Sequence, residues 1–231
     1  MPDLQHVICL LGAESTGKTA LTLSLAQALR DCGLDCAVVP ETLRQWCDEQ
    51  GRTPRPDEQA DIAHTQAQRI AEAAQRHPLV LADTSALMTA VYSDFLFADR
   101  SLYAHAAQAQ ARYGLSLLTG LDLPWVADGL QRDGPQVREP VDALLRQALQ
   151  AQRLPYKVVY GQGAERGHNA LSALVGLPWL QALPQAEALG ERLRQQRDEA
   201  RLNKPWQCEH CSDGGCEHKL FTGLLAARSV P

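Results

Sequence analysis

The stretch VICLLGAESTGKTALTLSLAQALRDCG, residues 7–33, decides the fold. An apolar run of strand length (7–11) meets Gly12-x4-Gly17-Lys18-Thr19. An amphipathic run then places Leu21, Leu25, Ala28 and Leu29 on one helical stripe, and Gly33 is a natural helix stop. Strand, glycine loop and helix in that order are the setting in which a G-x4-G-K-T pattern becomes a phosphate-binding loop. Glycines let backbone N–H groups converge on phosphate oxygens, and the helix N-terminus adds its dipole. Lys18 reaches the β- and γ-phosphates, and the Thr19 hydroxyl can ligate Mg²⁺. All eight residues, Gly12, Ala13, Glu14, Ser15, Thr16, Gly17, Lys18 and Thr19, are therefore the expected nucleotide cradle.

Working outward, four more short apolar runs follow, CAVVP (36–40), LVLAD (79–83), LSLLTG (115–120) and YKVVYG (156–161). With HVICLLG (6–12) they barely alternate, as expected of parallel strands covered on both faces. Helices are expected over 18–32, from an Asp57 cap to about Arg76, over 85–95, 100–113 and 140–152, and over 164–175. Strand and helix alternating in this way predict a three-layer α/β fold. A five-stranded parallel sheet in the order 2-3-1-4-5 is expected, as in P-loop nucleoside and nucleotide kinases. Residues 1–176 form the expected nucleotide-binding domain, 177–204 a helical extension, and 205–231 a short Cys/His-rich tail.

The chain has 231 residues and 27 acidic against 22 basic side chains, for a net charge of −5, so no basic field points to nucleic acid. No run approaches the roughly 18 apolar residues of a membrane span, and the N-terminus lacks a signal-peptide pattern. A cytoplasmic location is the expectation. Four of the 22 basic residues are lysines, and Lys18 is the one lysine in the first 156 residues. An arginine-rich chain has placed its early lysine where a compact ammonium suits a phosphate loop. The seven cysteines, an odd number with four in the first 47 residues and three near the end, do not read as a disulfide framework.

Carboxylates stand at two further strand ends. Asp83 closes LVLAD and could hold Mg²⁺ with Thr19; its other reading is a helix cap, a role Thr84 and Ser85 also suit. Glu41 follows the second strand in VVPETLRQW and could accept a proton from an attacking hydroxyl; its other reading is a first-turn glutamate on a helix dipole. Arg44 lies one turn on, sharing its face. After the fourth strand, LDLPWVADGLQRDGPQVRE (121–139) carries Arg132 and Arg138 around a Gly-Pro pair. It suits either a lid bringing guanidinium groups over a phosphoryl group or an ordinary surface loop.

GAESTGKT, VPETLR, LADTSALMTAVY, DLPWVADGLQRDG and GAERGHNAL, in this order over residues 5–175, resemble the ribosylnicotinamide kinase domain of NadR-type proteins. These belong to a wider group of NadR-like P-loop ATPase and kinase domains. The resemblance implies ATP- and Mg²⁺-dependent phosphorylation of the 5′-hydroxyl of a nucleoside-like substrate, nicotinamide riboside in that family. It implies Glu41 as base, Asp83 on Mg²⁺ or the ribose, and Arg132 and Arg138 in the lid. Trp46, Tyr92 and Trp125 are candidates to stack on a flat ring, ordinary packing being the other reading of each. The chain is without the DNA-binding and adenylyltransferase domains of the larger relatives, so repression and the second enzymatic step are not expected. A competing reading is a nucleotide-dependent switch or partner-dependent ATPase using the same pocket.

The tail offers Cys208-x2-Cys211-x4-Cys216-x-His218, with His210 as a spare, four soft ligands in Zn²⁺-knuckle spacing but compact for a full site. A zinc-bearing tail would be a docking module for a protein partner. Incidental thiols on a polar tail are the alternative.

Overall fold

The computed structural model describes residues 4–127 and 134–203, the side chains of 200–203 excepted. The expected strands form β1 (Leu4–Leu11), β2 (Ala37–Val39), β3 (Val80–Asp83), β4 (Tyr113–Thr119) and β5 (Lys157–Val159). All neighbouring pairs are parallel, in the order β2-β3-β1-β4-β5, which is the expected topology. Parallel neighbours need crossovers, and helices supply them: α1 (Lys18–Asp31), α2 (Thr42–Gln50), α3 (Gln59–Arg76), α4 (Ala86–Phe97), α5 (Tyr103–Gln110), α6 (Arg138–Ala151) and α7 (Gly163–Val175). The short α8 (Pro178–Gln181) and α9 (Ala186–Asn203) follow.

β1 is the centre of the core. Val7, Ile8, Cys9, Leu10 and Leu11 have no solvent exposure, because helices cover both faces of a strand flanked by β3 and β4. This is why the run does not alternate. Burial pushes the Cys9 thiol up to about 12, so it behaves as a small hydrophobe. β1 and β3 run in register with Leu10 opposite Asp83, and the ladder continues as Thr84 N–H donates to Leu10 O at 3.1 Å. Both strands therefore deliver their C-terminal ends to one rim, where ligands bind in open parallel sheets.

Two expectations move, and one open alternative is decided. The helix expected over 100–113 ends at Gln110, and Tyr113 instead opens β4 opposite Leu4. Gly114 favours this change, because a Cβ there would lie 1.8 Å from Gln5 O on the crossing backbone. Asp57 does not cap α3. It lies in a 3₁₀ turn (Pro56–Glu58) in which Glu58 accepts from Arg55 N at 2.7 Å, and α3 starts at Gln59. Finally, α4 is capped by Ser85, whose hydroxyl accepts from Leu87 N at 3.2 Å, leaving Asp83 outside that role.

The chain divides into two units, Met1–Glu191 and Arg192–Pro231. The expected boundary at residue 176 falls inside the first unit, in which Leu180 and Leu189 are buried. No helix among the described residues is long and apolar enough to cross a membrane.

Leu118 in β4 is fully buried. Leu118→Ala is expected to lower the free energy of unfolding by about 2–5 kcal/mol through lost contacts and a residual cavity. Urea denaturation measures this, and a loss below about 1 kcal/mol would mean that the β1–β4 layer is not packed as described.

Candidate functional site

The loop between β1 and α1 is built around backbone that only particular residues accept. Gly12 has φ +147°, and a Cβ there would sit 2.1 Å from Thr119 Oγ1 at the end of β4. Gly17 has φ +74° and caps α1, with Leu123 Cδ1 2.9 Å from where its Cβ would stand. Thr16 Oγ1 donates to Ala13 O at 2.8 Å and lies 2.7 Å from Thr119 Oγ1, so two hydroxyls lace the loop to β4. Lys18 Nζ donates to Gly12 O and Ala13 O, each at 2.9 Å, folding the ammonium back over its own loop.

Thr19, one residue into α1, donates from Oγ1 to Asp83 Oδ2 at 2.6 Å. Asp83 is 3% exposed, and its Oδ1 is buried with no hydrogen-bond partner among the described residues. A buried carboxyl oxygen without a partner calls for an explanation, and a bound ion or water is one. One carboxylate and one hydroxyl beside a phosphate loop fit Mg²⁺, which keeps several waters and shares phosphate oxygens rather than sitting in an all-protein cage. No group of three or more His, Cys, Asp or Glu gathers among the described residues. The next residue, Thr84, adopts φ +78°, rare for a β-branched side chain, and its buried hydroxyl also has no partner among the described residues.

Beside the loop lies a cavity of about 630 Å³, inside the range of roughly 300–1,000 Å³ common for small-molecule sites. The loop and the start of α1 form one wall, and Glu41 and Arg44 of the β2–α2 corner a second. Tyr92, Leu96 and Phe97 from α4 give an apolar third side, with Leu96 and Leu23 exposed to it. Arg44 Nε stands 3.5 Å from Glu41 Oε2. Gln66 of α3 fixes this corner: its Oε1 accepts from Thr42 N at 2.7 Å, and its Nε2 donates to Thr84 O at 3.4 Å. Cys47 also lines the cavity, and burial, then the Asp48 and Glu41 carboxylates, raise its thiol, keeping it neutral.

Among the expected ring-stacking residues, Tyr92 lines the cavity. Trp46 is not in its lining; the Arg52 guanidinium lies over its ring at 4.8 Å, and Arg52 in turn pairs with Glu58, whose carboxyl it and the Arg55 amide hold down at about 2. Trp125 Nε1 donates to Glu14 Oε1 at 3.1 Å, while Ser15 Oγ accepts from Val126 N at 2.7 Å, so the segment after β4 is fastened to the loop. Arg138 is buried, with its guanidinium donating to Leu123 O at 2.8 Å and Leu121 O at 3.3 Å. It braces that segment rather than presenting a guanidinium to the loop, which corrects the expectation of a lid arginine at this position. Arg132 lies outside the described residues, as do Cys208, His210, Cys211, Cys216 and His218.

The sequence reading missed Arg166. This α7 side chain is 4% exposed and joins four groups: Asp122 Oδ1 and Gly161 O from Nη1, both at 2.9 Å, and Thr16 O at 2.9 Å and Gly120 O at 3.3 Å from Nη2. It ties the loop to the ends of β4 and β5. Burial works against ionised Asp122, but Arg166 and the Gly161 amide outweigh it and hold the carboxyl below the usual range.

The family described as AAA domain matches residues 7–166, from β1 to the start of α7. The chain belongs to this AAA domain family. No curated protein matches it. Among solved structures, the chain is similar to one described as the crystal structure of NadR protein in complex with NR. The TM-score is 0.62 at 20% identity, over 74% of this chain and 50% of that one. It thus spans half the length of that NadR chain, and the likeness is one of fold, in accord with the fold that the motifs implied. Shikimate kinase from Acinetobacter baumannii in complex with shikimate aligns at a TM-score of 0.43 with 19% identity, over 73% of this chain and 92% of that one. The matched residues include the strand, loop and helix over residues 7–31, so the family match and the site geometry concern the same stretch.

Arg166→Ala leaves Asp122 without its cation and frees three carbonyls, and is expected to cost about 3 kcal/mol of stability. The folded Asp122 carboxyl titrates below its unfolded value near 3.9, so the pairing contributes fully above about pH 4 and fades as acid protonates it. The stability gap between wild type and variant should be flat from pH 5 to 8 and shrink below pH 4. A gap that instead grows in acid would contradict the pairing.

Proposed function

We propose that this AAA domain chain is a small-molecule kinase. It would transfer the γ-phosphoryl of MgATP to the 5′-hydroxyl of a ribonucleoside-like acceptor, nicotinamide riboside being the first candidate. The observation that carries the reading is the pairing of two half-sites: a phosphate loop with the Thr19–Asp83 contact, and beside it a cavity with Glu41 in its wall. A pure switch needs the first half and has no use for the second. The motif resemblance and the NR in the similar NadR structure support the choice of acceptor.

In this mechanism the loop amides take the β- and γ-phosphate oxygens, and Lys18 Nζ exchanges the Gly12 and Ala13 carbonyls for them. Thr19 and Asp83 would hold Mg²⁺, which supplies neutralisation of phosphate charge when bound. Glu41, steadied by Arg44, accepts the proton of the acceptor hydroxyl as its oxygen forms the new bond to phosphorus and the bond to the ADP oxygen breaks. Tyr92, Leu96 and Phe97 exclude water around the acceptor's ring. With Arg138 engaged by the Leu121 and Leu123 carbonyls, Arg132 is the guanidinium proposed to balance charge on the phosphoryl group. Residues 1–176 would carry this chemistry in the cytoplasm, within NAD biosynthesis.

A nucleotide-dependent switch is the second reading, favoured by the ties of Glu14 and Ser15 to Trp125 and Val126, through which loop changes would reach the segment after β4. Incubation with MgATP and a nucleoside panel that includes nicotinamide riboside separates the two. The kinase reading expects a 5′-phosphorylated product and a turnover about a hundredfold lower in Glu41→Gln, with ATP affinity retained. ATP binding with every nucleoside untouched would instead support the switch.

A further inference from the structure

Three glutamines are buried among the described residues, and two of them explain themselves. Gln66 has both ends of its amide engaged, by Thr42 N and Thr84 O. Gln110 does too: Oε1 accepts from Ser85 Oγ at 2.6 Å and Nε2 donates to Ser116 Oγ at 2.8 Å. Gln59 is the exception. It is 2% exposed, and its Oε1 is buried with no donor among the described residues in reach. It also forms part of the cavity wall.

A buried amide with an unsatisfied carbonyl costs stability, and such groups in native proteins call for an explanation. Gln59 stands on the same face of α3 as Ile62, Ala63, Gln66 and Ile70, so an apolar residue would pack there without penalty. Its position is also held from outside. Glu58, the residue before it, receives Arg52 at 2.6 and 2.8 Å and Arg55 N at 2.7 Å, which anchors the turn into α3. Thr53 and Pro54 of the same turn line the cavity with it. A clamped turn that sets Gln59 into the wall of a ligand-sized cavity, with its amide carbonyl left unpaired, suits a recognition element.

We infer that Gln59 is a specificity-determining residue for the phosphate acceptor, its side-chain amide turning Oε1 toward the cavity to take a hydrogen bond from a neutral O–H or N–H group of that molecule. A ribose hydroxyl and a carboxamide share this chemistry. Sites built around such a contact reject an analogue lacking the partner group far more strongly than apolar pockets reject a missing methylene. The inference rests on the kinase reading for the identity of the acceptor, but the unpaired amide is a property of the ligand-free protein.

The test uses Gln59→Met and Gln59→Leu in the full chain, with two readouts. In the ligand-free protein, both variants should melt at or above the wild-type temperature, because they remove an unsatisfied group. A fall of more than about 4 °C in both would assign Gln59 a structural role and overturn the inference, whatever the acceptor is. With nicotinamide riboside as probe, KM should rise about tenfold or more while KM for ATP stays within twofold. The wild type should prefer nicotinamide riboside over at least one of its 2′-deoxy, 3′-deoxy and nicotinic acid counterparts by about tenfold or more, and the variants should lose that preference. An unchanged KM and an unchanged preference would overturn the inference. If the wild type phosphorylates no nucleoside, the kinase reading fails separately, and the melting comparison alone decides Gln59.

Discussion

One buried guanidinium holds the working rim together. Buried backbone carbonyls need donors, and here Arg166 serves those of Thr16 in the loop and of Gly120 and Gly161 just beyond β4 and β5, together with the Asp122 carboxylate. Burying an ion pair seldom adds much net stability, because desolvation offsets attraction. What the pair secures is geometry: the phosphate loop, the end of β4 and the β5–α7 corner cannot shift independently. Leu123 can then pack against Gly17, and Trp125 and Val126 can reach Glu14 and Ser15. Arg138 repeats the device on the other side of the same segment by holding its Leu121 and Leu123 carbonyls.

The rim divides the chemistry between two kinds of contact. On the nucleotide side, groups are small, polar and close: hydroxyls of Thr16, Thr19 and Thr119, a carboxylate, and glycines with no room for a side chain. On the cavity side the wall is mostly apolar, with a few polar groups, Glu41, Arg44 and Gln59, set into it. That is the usual economy of a small-molecule site, in which apolar surface supplies affinity and a few polar atoms supply orientation. Gln66 joins the two sides, since it holds the start of α2 and the backbone of Thr84 beside Asp83 with a single amide.

Much of this was legible before the fold was seen, for definite reasons. Strands buried on both faces leave continuous apolar runs, so β1 to β5 followed from pattern, while their order was expected from P-loop nucleoside and nucleotide kinases. Thr19 and Asp83 could be singled out as a pair because a phosphate loop and a neighbouring strand end share one rim, and the structure brings their side chains into contact. Sequence reasoning failed where a role depends on a distant partner. Tyr113 looked helical because its pairing with Leu4 is a tertiary fact. Arg138 looked like a lid residue because an arginine near a glycine carries no sign of the carbonyls it will meet. Arg166 sat within the quoted motif GAERGHNAL and still went unnoticed, because its partners lie between 5 and 150 residues away. Gln59 and Gln66 left one trace, two amides seven residues apart on an otherwise apolar helix face.

The central claim is that the loop and Asp83 together form a metal–nucleotide site. Titration of a non-hydrolysable ATP analogue into wild type and Asp83→Asn, each with and without Mg²⁺, tests it most directly. The account predicts that Mg²⁺ tightens binding to the wild type about tenfold or more and has little effect on the variant, whose metal-free affinity stays near that of wild type. Equal Mg²⁺ enhancement in both proteins would contradict it, because the metal would then be held without the carboxylate that Thr19 meets.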